Sequence, residues 1–203
     1  MSPDVGLREQ KRRRTKQALV AAALRLFSEK GYDRTTVAEI AAAAEVSYAT
    51  FFNYFAAKDE VVFADDDLYG DLLEEIFAAH DHTERPADLL LRAMVHLSTA
   101  ADWSFPLDHE FTVLRARLIG EVPALRAAAL LRRTVLQQQL AAGLQAAYPH
   151  EVDTLQAAAL TGAMIGAVDA VLNSLAPEEA APESIAAKVE EAARISLRGY
   201  LSR

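Results

Sequence analysis

The stretch Thr35-Thr36-Val37-Ala38-Glu39-Ile40-Ala41-Ala42-Ala43-Ala44-Glu45-Val46-Ser47-Tyr48-Ala49-Thr50-Phe51-Phe52-Asn53-Tyr54-Phe55 decides the fold. Thr36, with Glu39 three residues on and Ile40 directly after, is a capping-box pattern that starts a helix reaching about Ala44. Ser47 is a favoured N-cap and starts another, to about Phe55. Only Glu45 and Val46 separate the two, so they meet at a tight corner. Two short helices crossing steeply over a third make a helix-turn-helix. Val37, Ile40 and Ala41 then face inward, Val46 plugs the corner, and Phe51, Phe52 and Phe55 read as core. The outer side of the last helix carries Tyr48, Ala49, Thr50, Asn53 and Tyr54. Small, hydroxyl and amide side chains on an exposed helix can enter a major groove and bond base edges or phosphates.

Working outward, the supporting helix precedes this stretch. Leu19/Val20, Ala23/Leu24 and Phe27 recur every three to four residues, one apolar stripe of a helix from about Leu7 to Lys30. Gly31 follows as its stop signal, and residues 1–6 read as disordered. Downstream, a fourth helix is expected from Lys58 to His80, with Val62, Tyr69, Leu72, Leu73 and Ile76 inward. Pro86, Pro106 and Pro123 open three more, and residues 151–175 and 183–201 supply the last two around a Pro177–Pro182 turn. The 203 residues include 41 Ala and 26 Leu against 8 Gly and 7 Pro. Both leading residues are strong helix formers, so the fold class is all-α: a three-helix head over residues 1–57 and a six-helix bundle over residues 58–203.

Charge separates the same two parts. Residues 1–34 hold nine Lys/Arg against four Asp/Glu, a net +5, whereas residues 61–203 hold eleven against twenty-one, a net −10. A basic end on an acidic body is an electrostatic footprint of nucleic-acid binding, with the Lys11–Arg14 run as a possible backbone or minor-groove arm. The chain has no cysteine, which excludes disulfides, thiolate nucleophiles and Cys-ligated metals. His80-x-His82 and His109-Glu110 lack metal-ligand spacing on a helix, and Asp65-Asp66-Asp67 reads as a solvated face. No metal or cofactor is expected. The uncharged stretches Thr134–His150 and Thr154–Val168 are Gln-rich and short respectively for a membrane span of roughly 20 apolar residues. The charged N-terminus lacks an apolar signal region. A cytoplasmic protein without a membrane partner is expected.

The stretch quoted above, continued by Ala56-Ala57-Lys58-Asp59-Glu60, closely resembles the DNA-binding signature of the TetR family of transcriptional regulators over roughly residues 10–62. The resemblance implies that the head binds operator DNA as part of a homodimer, and that the bundle dimerises and binds a small hydrophobic or amphipathic effector that releases DNA. It implies a repressor, and phosphate contacts from Tyr54 and Lys58. Thr35, Thr36, Ser47, Tyr48, Ala49, Thr50 and Asn53 complete the expected DNA-binding set. Glu45 departs from the family pattern, which has Gly in the corner, and a left-handed corner costs a non-Gly residue about 1 kcal/mol. Asn53 stands where the family often has His or Tyr, so the operator does not carry over. More loosely, Arg117-Leu118-Ile119 through Pro123-Ala124-Leu125 and Leu131-Arg132-Arg133 resembles the mycofactocin-regulator branch, which implies long-chain acyl-CoA or a similar effector.

In the body, Ala158, Gly162, Gly166 and Ala170 form one ridge of small residues, with Asp169 and Asn173 on the same face. Gly inside a helix costs up to about 1 kcal/mol relative to Ala, so close approach of a partner helix is expected; Ala158, Gly162, Gly166, Asp169 and Asn173 are the candidate dimer seam. Family architecture makes Tyr69, Leu72, Met94, Trp103, Phe105, Phe111, Leu114 and Met164 candidate effector lining, with Arg115, Arg117, Arg126 and Arg133 as possible anion partners. Two rivals stand against a regulator. A helical enzyme lacks support, for there is no Glu-x-x-His pair, Gly-rich phosphate loop or nucleophile elbow. A small-molecule-binding module without specific operator binding would show no shift of the protein's own upstream DNA.

Overall fold

A computed structural model describes residues 3–81, 83–99, 104–105, 110–174 and 185–201, and for residues 3–6, 67, 68 and 201 the backbone only. Among these residues every regular element is a helix: α1 (Pro3–Lys30), α2 (Val37–Ala43), α3 (Tyr48–Phe52), α4 (Asp66–Ala78), α5 (Pro86–Thr99), α6 (Glu110–Glu121), α7 (Pro123–Ala147), α8 (Thr154–Ser174) and α9 (Ile185–Leu201). A 3-10 turn over Asp59–Phe63 joins α3 to α4. The sequence boundaries hold where local chemistry sets them. Gly31 ends α1 with φ +91°, and Pro123 opens α7. Residues 3–6, expected outside any helix, continue α1. Pro106 and the Pro177–Pro182 turn lie outside the described residues, as do Trp103, His82 and His109.

Two expected helices differ. α3 closes at Phe52 rather than Phe55, because the Asn53 and Tyr54 amides bond three residues back, to Thr50 and Phe51 carbonyls, in a tightening turn. The single helix expected from Lys58 divides into the 3-10 turn and α4. The division has a packing cause: Val61, Val62 and Ala64 bury themselves with α1–α3, whereas Leu73 and Ile76 bury themselves in the bundle. One unbroken helix would have to serve both with one stripe.

The apolar interior is therefore two cores, and their division does not fall at residue 57. The first joins Leu19, Leu24, Phe27, Ile40, Phe51 and Phe55 of the head to Phe111 and Leu118 of α6 and Leu125 of α7. The second gathers Leu89, Leu90, Leu140, Leu144, Met164 and Leu197 from α5, α7, α8 and α9. At about 25 cal/mol per Å² of apolar surface removed from water, shared burial of this kind fixes how the head sits on the bundle. α8 is the one described helix long and apolar enough to span a membrane, with a mean hydropathy of 1.6 in its most apolar window. A third of that window is buried, where α8 packs in the bundle core.

Candidate nucleic-acid interface

The helix-turn-helix is built by local capping. Thr36 Oγ1 accepts the Glu39 amide at 3.3 Å, and the Glu39 carboxylate accepts the Thr36 amide at 2.9 Å and hydroxyl at 2.8 Å. Lys30, at the end of α1, pairs with the same carboxylate. That bond first, and the Thr36 donors next, hold the Glu39 carboxyl down to about 2. At the corner, Glu45 has φ 57°, the one positive φ at a non-glycine among the described residues. The Val46 amide bonds the Ala41 carbonyl at 2.9 Å and the Glu45 amide bonds Ala42 at 3.1 Å, which is the Schellman closure of a helix. A glutamate at this left-handed position thus keeps the corner closed at a strain of about 1 kcal/mol. Ser47 Oγ then accepts the Thr50 amide at 3.0 Å and lies 2.7 Å from Thr50 Oγ1, which starts α3.

The inward set is placed as read: Ile40, Ala41, Phe51 and Phe55 are buried, with Val37 and Val46 packed against them. On the outer side Tyr48, Ala49 and Asn53 are exposed, Thr36 and Ser47 are exposed with their hydroxyls engaged in caps, and Thr50 and Tyr54 are half-buried. One expected contact and one expected core residue need correction, and the Lys58 ammonium is already partly engaged. Thr35 is 2% exposed, and its hydroxyl donates to the Gly31 carbonyl at 2.9 Å and that of Leu26 at 3.3 Å. Its side chain closes the end of α1 and does not face outward. Lys58 Nζ donates to the Tyr32 carbonyl at 2.7 Å and that of Thr35 at 3.1 Å, and sits 4.1 Å above the Tyr32 ring. Two of its three donors are bound to the α1–α2 loop. Phe52, read as core, is 44% exposed.

A basic flank completes the site. Arg8, Lys11, Arg12 and Thr15 of α1 face Ser47, Thr50 and Tyr54 across an open groove of about 500 Å³. The basic run is thus helical rather than an extended arm, and Lys11 and Arg12 of it share this face with Arg8 and Thr15. Its spacing of three, four and seven residues was readable once α1 is extended towards residue 3. One wall is cationic, with Arg12 paired to Glu9, and the other carries hydroxyl groups beside Glu45 and Val46; the cations and hydroxyls suit a phosphate backbone.

Head and body meet at Asp65, which the sequence reading left on a solvated face and which is 4% exposed. Its carboxylate accepts the Ser104 amide at 3.1 Å and hydroxyl at 2.6 Å, with Lys16 Nζ at 3.6 Å. Gln17 donates to the Ser104 carbonyl at 2.8 Å. Buried carboxylates require such partners.

The described members of the expected effector lining divide between the two cores. Tyr69, Leu72, Met94 and Met164 belong to the bundle core, whereas Phe105, Phe111 and Leu114 belong to the core shared with the head. Burial pushes the Tyr69 phenol up to about 12, with Arg115 pulling the other way. Arg117 pairs with Glu121 at 2.7 Å, Arg126 bonds the Gly120 carbonyl and Arg133 bonds Asp169. Within the expected seam, Ala158, Gly166 and Asn173 are exposed, and a Cβ on Gly166 would meet nothing within 4 Å. Gly162 instead faces Gln137 of α7, and Asp169 is turned to Arg133 of the same helix. No group of metal-ligating residues occurs among the described residues.

Residues 19–64 match the family model described as bacterial regulatory proteins, tetR family. The regulator TcmR of Streptomyces glaucescens is 54% identical over 56 residues, 28% of this chain and 25% of its own. A transcriptional repressor of Mycobacterium tuberculosis is 36% identical over 77 residues, 38% of this chain and 39% of its own. The chain thus spans well under half the length of these relatives. Solved structures are similar over nearly the whole chain. The fatty acid degradation regulator FadR of Bacillus halodurans has TM-score 0.62 at 19% identity, covering 93% of this chain and 97% of that one. FadR of Thermus thermophilus, solved in complex with lauroyl-CoA, has TM-score 0.56 at 23% identity, covering 93% and 96%. At these identities the likeness is one of fold.

Proposed function

This chain belongs, through residues 19–64, to the tetR family of bacterial regulatory proteins, and on that premise we propose that it is a transcriptional repressor that binds a palindromic operator as a homodimer and releases it on binding a small effector. The observation that carries the reading is the groove in which Arg8, Lys11 and Arg12 face the start of α3. Tyr48 and Asn53 present to the major groove, and Tyr54 with the α1 cations bonds flanking phosphates. The acidic body repels DNA elsewhere and confines contact to the head.

Two such heads read two half-sites when they stand one helical turn of DNA apart, about 34–36 Å, or a multiple of it. The exposed ridge of Ala158, Gly166 and Asn173 on α8 supplies the seam that brings a second copy in. An effector that binds better at a different head spacing weakens DNA binding, and DNA weakens effector binding equally. A hydrophobic or amphipathic molecule fits an apolar bundle, and the lauroyl-CoA held by the Thermus thermophilus structure makes long-chain acyl-CoA the first class to test. Such a regulator works in the cytoplasm. A mobility-shift assay of the full chain on its own upstream DNA, at stated salt, tests the reading. A discrete complex that excess unrelated duplex does not displace is expected; displacement by any duplex alike contradicts it.

A further inference from the structure

The outer face of α3 is less polar than its composition suggests. Ser47 Oγ and Thr50 Oγ1 lie 2.7 Å apart, and Ser47 Oγ also accepts the Thr50 amide. One of the two hydroxyl protons lies between them, which leaves a single O–H to donate outward. What α3 then presents outward is Tyr48, 57% exposed, the methyl of Ala49, and Phe52, 44% exposed. Tyr48 and Phe52 are four residues apart and so neighbours on one helix face. Their rings meet edge to face with centroids 5.1 Å apart, and the Phe52 ring meets that of buried Phe51 in the same way at 5.3 Å. Braced on both sides, the Phe52 ring is a fixed apolar ledge on the surface turned to DNA.

Phe has no donor or acceptor, so it reads no hydrogen-bond pattern. The one apolar feature of an unmodified major groove is the C5-methyl of thymine. We propose that Phe52 is a specificity-determining residue that packs against a thymine methyl in each operator half-site, with Tyr48 holding its ring in place. The proposal rests on the operator-binding reading and adds the chemistry by which one position of the site is chosen.

The test uses the full-length protein and a duplex it enriches from a random-sequence pool. Each thymine of that duplex is replaced in turn by deoxyuridine, which removes the methyl and nothing else. For the wild type, at least one position per half-site loses about fourfold in affinity, the equivalent of the ~0.8 kcal/mol of one buried methyl-sized group. With Phe52→Ala that position becomes insensitive to the exchange, while Phe52→Leu, which keeps an apolar side chain, retains part of the penalty. No sensitive position in the wild type overturns the proposal, as does a penalty undiminished in both variants. Failure to enrich any duplex overturns operator binding itself, a separate result.

Discussion

At Glu45 the chain places a side chain where a backbone φ of 57° favours glycine. Glu45→Gly is expected to raise stability by about 1 kcal/mol, read as a shift in the urea midpoint at unchanged slope, whereas Glu45→Gln, which keeps the Cβ, leaves it unmoved. Glu39 carries a pH dependence of definite sign. Its carboxyl is held down to about 2 by Lys30 and Thr36, below the roughly 4.3 of an unfolded chain. A depressed carboxyl stabilises fully above the unfolded value and loses that contribution as pH falls through the folded one. The stability difference between wild type and Glu39→Gln should thus shrink between about pH 4.3 and 2; a constant difference over that window would refute the assignment. The capping box and the corner were legible in sequence because their partners lie within three to five residues, whereas Lys30 lies nine residues from Glu39. Thr35 was expected to face outward, but its burial depends on tertiary placement; the bonds of Lys58 to carbonyls 26 and 23 residues away are likewise beyond any local pattern.

At the scale of elements, Pro and Gly marked helix ends well, and what they could not mark was a change of core within one apolar run. Val62 and Tyr69 read as one stripe, yet the 3-10 turn sends Val62 to the head and α4 sends Tyr69 to the bundle. Asp65 sits at that change, and its bonds to Ser104 lie 39 residues away, beyond any motif. The packing of α4 on α7 gives a sharp test. A Cβ on Gly143 would lie 2.4–2.9 Å from the Phe77 ring. Gly→Ala inside a helix ordinarily gains up to about 1 kcal/mol, but overpacking costs about 1–3 kcal/mol. Gly143→Ala is therefore expected to lower the melting temperature, and Gly143→Ala with Phe77→Ala to show less than the sum of the two losses. A stabilised single variant would contradict this packing.

Across the whole molecule, the charge asymmetry and the small-residue ridge were visible in the sequence, while the effector lining was not, because its candidates divide between two cores that only the fold separates. In the proposed dimer the ridge carries the assembly. Gly166→Arg, at a position open to solvent in the single chain, is expected to halve the particle mass in sedimentation without loss of helicity; an intact dimer at low concentration argues for another seam. The central claim is that α3 of each subunit reads DNA. Equilibrium binding at fixed salt to an enriched duplex and to unrelated duplex, with wild type and with Tyr48, Asn53 and Tyr54 all replaced by Ala, tests it most directly. The account predicts that the triple variant stays folded and dimeric and that its preference for the enriched duplex falls to that for unrelated DNA, a loss on the order of 10³-fold or more. An unchanged preference would contradict it.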